Sequence, residues 1–271
     1  MSRLRTHGLT KRFGGLTAVD DVDVELGDEL CSLIGPNGAG KTTFFDLLTG
    51  VLEPTEGTVE HRRDGEWHDV TGAPPHETAA RGVHRSYQIT SVFPESTVHE
   101  NVRIAAQAAG DDSFTGWRNA GAFDRYLREA DTILDRVGLA DRADRPARSL
   151  SHGAKRQLEV AVALAGDPDV LLLDEPNAGV SSESVDDIIA LIEDVATDHA
   201  VLLVEHNMDI VMNVSDRIVV LNRGSVIADG TPEDVRDDPA VQEAYLGGYE
   251  PGALDATETD EESTDTAEGS A

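Results

Sequence analysis

The chain has 271 residues, 39% of them hydrophobic, enough for one large α/β domain or two closely packed lobes with a sizeable core. Its 52 acidic and 22 basic residues leave a net charge of -30, which excludes a broad electrostatic footprint for nucleic acid. No apolar run approaches the roughly 20 residues of a membrane span, and the lone Cys31 excludes an internal disulfide and any cysteine-only metal cluster.

In chain order, the first segment, Leu4 to Leu26, alternates Val19, Val22, Val24 and Leu26 with Asp20, Asp21, Asp23 and Glu25, the period-2 pattern of a half-solvated strand. The start, Met1-Ser2-Arg3-Leu4-Arg5, lacks the apolar core of a signal peptide, so a cytosolic chain is expected unless a partner holds it at a membrane. Leu30-Cys31-Ser32-Leu33-Ile34 reads as an apolar strand with Cys31 as a small core residue, and Phe44 to Leu48 as the start of a helix. Gly57-Thr58-Val59-Glu60 and the Asp64-Gly65 turn before Glu66 to Val70 predict an antiparallel hairpin, completing a small β lobe. From Val98 to Val137 apolar residues recur at helical spacing around a looser break at 110–121, which predicts a helical lobe. Ser151 suits a helix cap, and Gly153 permits close backbone approach. Val170 to Leu173 and Ala200 to Val204 read as buried parallel strands, separated by the helix-like Val185 to Val195. Residues 249–271 are expected to be a disordered acidic tail, since Glu250 to Ala271 holds eight acidic residues and no basic one.

Two of these segments carry chemistry. Gly35, Pro36, Asn37, Gly38, Ala39, Gly40, Lys41 and Thr42, followed by Thr43, fit G-x-x-x-x-G-K-[ST] between a strand and a helix: a P-loop. Its backbone N–H groups would wrap the phosphates of a nucleotide, Lys41 would reach the β and γ phosphates, and the Thr42 hydroxyl would ligate Mg²⁺. Asp174 and Glu175 follow the strand Val170 to Leu173, at the carboxyl end where α/β sheets expose ligands. There Asp174 would hold Mg²⁺ through water and Glu175 would polarise the water that attacks the γ phosphate.

The ordered set of P-loop, Gln88 in Arg85-Ser86-Tyr87-Gln88, Leu150-Ser151-His152-Gly153, Asp174-Glu175-Pro176 and His206 resembles the ATPase subunits of ABC transporters from about Leu4 to Gly248. The resemblance implies a P-loop α/β core with an antiparallel β subdomain (1–88 and 160–248) and a helical insertion at about 89–159, together one ABC ATPase domain over 1–248. It implies that Phe13 stacks on the adenine of ATP, that Gln88 contacts Mg²⁺ and the attacking water, and that His206 contacts the γ phosphate. Ser151 and Gly153 would touch the ATP held by an opposing subunit, so turnover would need a dimer. The signature departs from Leu-Ser-Gly-Gly-Gln at His152 and Ala154, and Ser181 stands where aspartate is usual.

Arg12 to Val19, Glu175-Pro176-Asn177-Ala178-Gly179, Glu205-His206-Asn207-Met208 and the Gly230 to Gly247 ending are similar to the LivG clade of branched-chain amino-acid importer ATPases, which has close relatives serving urea and short amides. The implied partners are membrane permease subunits, a second ATPase subunit (a copy of itself or a LivF-like paralogue) and, indirectly, an extracellular solute-binding protein. The implied location is peripheral, on the cytoplasmic face of the cell membrane. A soluble ABC ATPase of translation or DNA repair is the competing class, disfavoured because each motif occurs once. With only Lys11, Lys41 and Lys155 as lysines, the composition also resembles that of extreme halophiles; at molar salt the Debye length is about 3 Å and screens such self-repulsion.

Overall fold

Two tight hairpins frame the first parallel strand. β1 (Leu4–Phe13) pairs antiparallel with β2 (Leu16–Val22), and β3 (Glu25–Leu26) pairs with the start of β1. β4 (Leu30–Ile34) is buried at every residue and delivers the loop that opens α1 (Lys41–Leu48). β5 (Glu56–Arg63) and β6 (Glu66–Asp69) close the predicted hairpin on Asp64 and Gly65, both at positive φ as a two-residue turn requires. After α2 (Pro75–Ala80) and β7 (Val83–Ser86) the chain becomes helical: α3 (Val98–Ala109), α4 (Ala120–Arg136) and α5 (His152–Leu164). A reciprocal Thr97–Glu100 capping box starts α3. The remainder alternates strand and helix through β8 (Val170–Asp174), α6 (Ser182–Ala196), β9 (Ala200–Val204), α7 (Met208–Val214) and β10 (Arg217–Asn222). β11 (Ser225–Gly230), α8 (Pro232–Asp237) and α9 (Pro239–Leu246) finish it. This computed structural model describes residues 1–86, 92–110, 120–180 and 182–246, so Gln88, Ser181 and the acidic tail lie outside the described residues.

The central sheet has six strands in the order β11-β10-β4-β9-β8-β7, parallel throughout except for the β10–β11 pair. Successive side chains of a strand point to opposite faces. In β8, Leu171 and Leu173 therefore pack with Val102, Leu134, Leu158 and Ile188 of the helices, while Leu172 faces Phe44 and Phe45 of α1 and the antiparallel sheet. Burial on both faces is why β8 and β9 read as unbroken apolar runs. Each fully buried leucine contributes about 1.5–3 kcal/mol, so the carboxyl ends of these strands are fixed points from which side chains can be aimed. The expected helix at Val185 to Val195 is the body of α6, and Cys31 is fully buried, its thiol pushed up to about 12 by burial.

Candidate functional site

The P-loop is built mainly by backbone. Gly35 sits at φ +152, where a Cβ would lie 2.1 Å from the Leu221 carbonyl oxygen of β10, and Gly40 at φ +107, where one would lie 2.3 Å from the Ala18 oxygen of β2. Only glycine fits either place. Gly40 caps α1 without a side-chain bond, leaving the first-turn N–H groups to an anion. Lys41 is 8% exposed and folds back over the loop, its Nζ donating to the Gly35 oxygen at 2.6 Å and the Pro36 oxygen at 3.3 Å. Burial holds its ammonium below the ordinary lysine pKa, against the opposing pull of Glu175 and Asp174. Thr42 is exposed at the same helix start.

Phe13 ends β1 with its ring exposed and the Lys11 ammonium 5.2 Å from its centroid. Its hairpin leans on the P-loop through Ala18, next to Gly40. On another side, α9 brings Tyr245 against the loop; burial pushes its hydroxyl up to about 12, a hydrogen bond from the Gly35 backbone opposing the shift. A cleft of about 570 Å³ opens between Pro36, Asn37 and Gly38 and Asn222, Arg223 and Glu243.

The acidic half is built by side chains. β8 ends on Asp174, and Glu175 follows in the left-handed region at φ +47. Asp174 is 8% exposed and its carboxylate accepts from Arg85 Nη2 at 2.6 Å, while Arg85 Nη1 donates to Asp46 of α1 at 2.6 Å. His206, following β9, puts Nε2 2.7 Å from Glu175 Oε1. Between the two loops the buried Glu205 carboxylate accepts from the Asn177 N–H at 3.1 Å and the His206 N–H at 3.2 Å, fixing their spacing. Asn207 caps α7 by accepting from the Asp209 and Ile210 N–H groups, which sets where the helix starts after His206.

Because β4, β9 and β8 are neighbours, the P-loop, His206 and the Asp174–Glu175 pair leave the sheet at one carboxyl edge. Ser151 and Gly153 open α5: Ser151 caps it through the Ala154 N–H at 3.3 Å, and a Cβ on Gly153 would sit 2.9 Å from the Ser184 Cβ of α6. Among the described residues no hydrogen bond joins either one to the P-loop. Nor, among them, does any group of three or more His, Cys, Asp or Glu side chains form a metal cage. A hydroxyl at Thr42 and a carboxylate at Asp174 suit a hard cation that keeps waters and takes its remaining oxygens from phosphates, the habit of Mg²⁺. Sequence reading missed Arg85, Glu205 and Arg156, charged residues whose partners lie far along the chain.

A phosphate cradle, an acidic strand end and a histidine on one sheet edge define a nucleotide-binding cassette. Residues 19–178 match the ABC transporter family, and the chain belongs to it. Residues 225–251 match a second family, the branched-chain amino acid ATP-binding cassette transporter. The chain is 44% identical over 257 residues to the high-affinity branched-chain amino acid transport ATP-binding protein BraF of Pseudomonas aeruginosa, covering 91% of this chain and 99% of that protein. It is 43% identical over 252 residues to LivG of Escherichia coli, described in the same words, covering 90% and 97%. A solved nucleotide-free ATP-binding cassette from an ABC transporter matches with a TM-score of 0.78 at 31% identity, covering 91% of this chain and all of that one. The family expected from the ordered motifs is the one found.

Proposed function

We propose that this chain is the ATP-hydrolysing subunit that drives import of branched-chain amino acids through membrane permeases. The observation that carries the reading is the 2.7 Å contact between His206 and Glu175, held on the same sheet edge as the P-loop. Phe13 stacks on adenine, and the N–H groups of Gly35 to Thr43 with Lys41 bind the triphosphate. Glu175 takes the proton of the attacking water, while His206 holds that carboxylate in orientation and reaches the γ phosphate. Thr42 and Asp174, with Gln88, would hold Mg²⁺, which when bound would neutralise charge developing on the transferring phosphate.

Ser151 and Gly153, with no hydrogen bond to their own P-loop among the described residues, complete the site of a second subunit, either another copy or a LivF-like paralogue. The division into a core with β subdomain (1–88, 160–248), a helical subdomain (89–159) and an acidic tail (249–271) follows the same family pattern. A groove of about 220 Å³ lies between the core and α5, lined by Thr49, Pro75, Ala79, Val92, Glu159 and Val162 among others. Its apolar walls suit a permease segment, which would hold the chain at the cytoplasmic face of the membrane while a solute-binding protein acts outside. No helix among the described residues is long and apolar enough to cross a membrane.

Uptake by cells carrying Glu175→Gln tests this reading. Leucine uptake is expected to stop while the variant still binds ATP; loss of urea or short-amide uptake with leucine uptake intact would move the substrate assignment to those relatives, and co-purification with ribosomes or DNA would sink the transport reading. The net charge of -30 suits a salt-rich cytosol. The thermal midpoint is accordingly expected to rise between 0.1 and 2 M KCl, and a midpoint that falls would remove the halophilic reading.

A further inference from the structure

A single buried guanidinium gathers the backbone around the general base. Arg156, on the second turn of α5, is 8% exposed and donates from Nη2 to the Asp174 oxygen at 2.6 Å and the Glu175 oxygen at 2.8 Å, and from Nε to the Pro176 oxygen at 3.1 Å. Three successive carbonyls, starting at the last residue of β8, thus converge on one planar fork. The middle residue is Glu175, in a left-handed conformation that non-glycine residues adopt only when their surroundings impose it. The remaining nitrogen, Nη1, meets Glu159 Oε2 at 2.5 Å, and both side chains of this pair are 9% exposed. Glu159 in turn lines the apolar groove between the core and α5.

We infer that Arg156 is a positioning residue that ties the Glu175 backbone to the floor of that groove, so that what seats in the groove sets the aim of the general base. The link to the permease rests on the reading of the groove as the permease seat; the clamp on Glu175 stands on the hydrogen bonds alone. A movement of Glu159 pulls on the guanidinium, and because all three carbonyls share that group, Asp174, Glu175 and Pro176 respond together. Lysine cannot replace it, since an ammonium offers a point charge where the site needs a fork with fixed angles. Among the described residues no hydrogen bond or ion pair joins Arg156 or Glu159 to the P-loop, so nucleotide affinity and turnover should separate.

The test uses the full chain, with and without membranes carrying its permeases, reading ATP hydrolysis and the affinity of a fluorescent ATP analogue. In Arg156→Lys the permease-free kcat is expected to fall about tenfold or more, with KM and analogue affinity within about twofold of the parent. In Glu159→Gln, which keeps the guanidinium but strips the charge from its anchor, stimulation by permease membranes is expected to fall. Parental kcat in Arg156→Lys, or an undiminished stimulation ratio in Glu159→Gln, overturns the inference. If Arg156→Lys does not fold, Glu159→Gln decides alone. A parent that permeases do not stimulate defeats the groove assignment, and the permease-free kcat of Arg156→Lys then judges the clamp by itself.

Discussion

The phosphate half and the acidic half of this site meet on one sheet edge, yet they are held by different physics. Around Gly35 to Lys41 the shape comes from main chain: two glycines pressed against carbonyl oxygens of β10 and β2, and a lysine whose hydrogen bonds all go to loop carbonyls. Around Asp174 and Glu175 it comes from side chains that arrive from distant parts of the sequence: Arg85 on Asp174, His206 on Glu175, and Glu205 between the loops. A backbone cradle is rigid before any ligand comes. A carboxylate aimed by its neighbours can be re-aimed, which is what a coupled ATPase needs of its hydrolytic half and not of its binding half.

Substitutions should separate the two. Gly35→Ala has the largest expected effect: its Cβ meets a main-chain oxygen at 2.1 Å, so the cradle must deform. ATP affinity should drop by about a hundredfold or more, because a strained backbone site has no flexible side chain to give way. Titration with a fluorescent ATP analogue checks this, and unchanged affinity would show that the cradle is not backbone-determined. Lys41→Met removes charge but leaves the loop's shape; losing charge-assisted bonds worth about 1.5–3 kcal/mol should weaken ATP binding roughly ten- to hundredfold. The same titration reads it, and a loss as complete as that of Gly35→Ala would erase the distinction between shape and charge.

The smallest effect concerns stability rather than the chemistry of either half. His61 and His84 are each held below the ordinary imidazole pKa by burial, so the folded chain excludes a proton that the unfolded chain takes up. Their contribution is full above a pH of about 6.5 and declines as pH falls below it, by up to about 1.4 kcal/mol per pH unit for each. The thermal midpoint should fall between pH 7 and 5.5, and His84→Asn should make the fall shallower. A midpoint flat over that range would mean that these histidines accept protons without unfolding.

The same contrast explains what could be read from sequence. The P-loop is legible because its chemistry lies in consecutive residues, and β8 and β9 are legible because burial on both faces leaves unbroken apolar runs. The hairpin at Asp64-Gly65 is legible because the turn demands positive φ. β7 is not, since Val83-His84-Arg85-Ser86 mixes charge into an edge strand of the parallel sheet. Arg85 and Arg156 look like ordinary surface arginines until the fold buries them beside residues 89 and 18 positions away. Glu205 carries no signal beyond its place before His206, yet the structure turns it inward to accept two backbone N–H groups.

The division of labour between the halves is tested most directly by Glu175→Gln, measuring ATP affinity and hydrolysis on the same preparation. The two-half account predicts affinity within about threefold of the parent and hydrolysis reduced by about 10² to 10⁴, the usual contribution of a positioned general base. Hydrolysis at the parental rate, or affinity lost in step with it, would contradict the account.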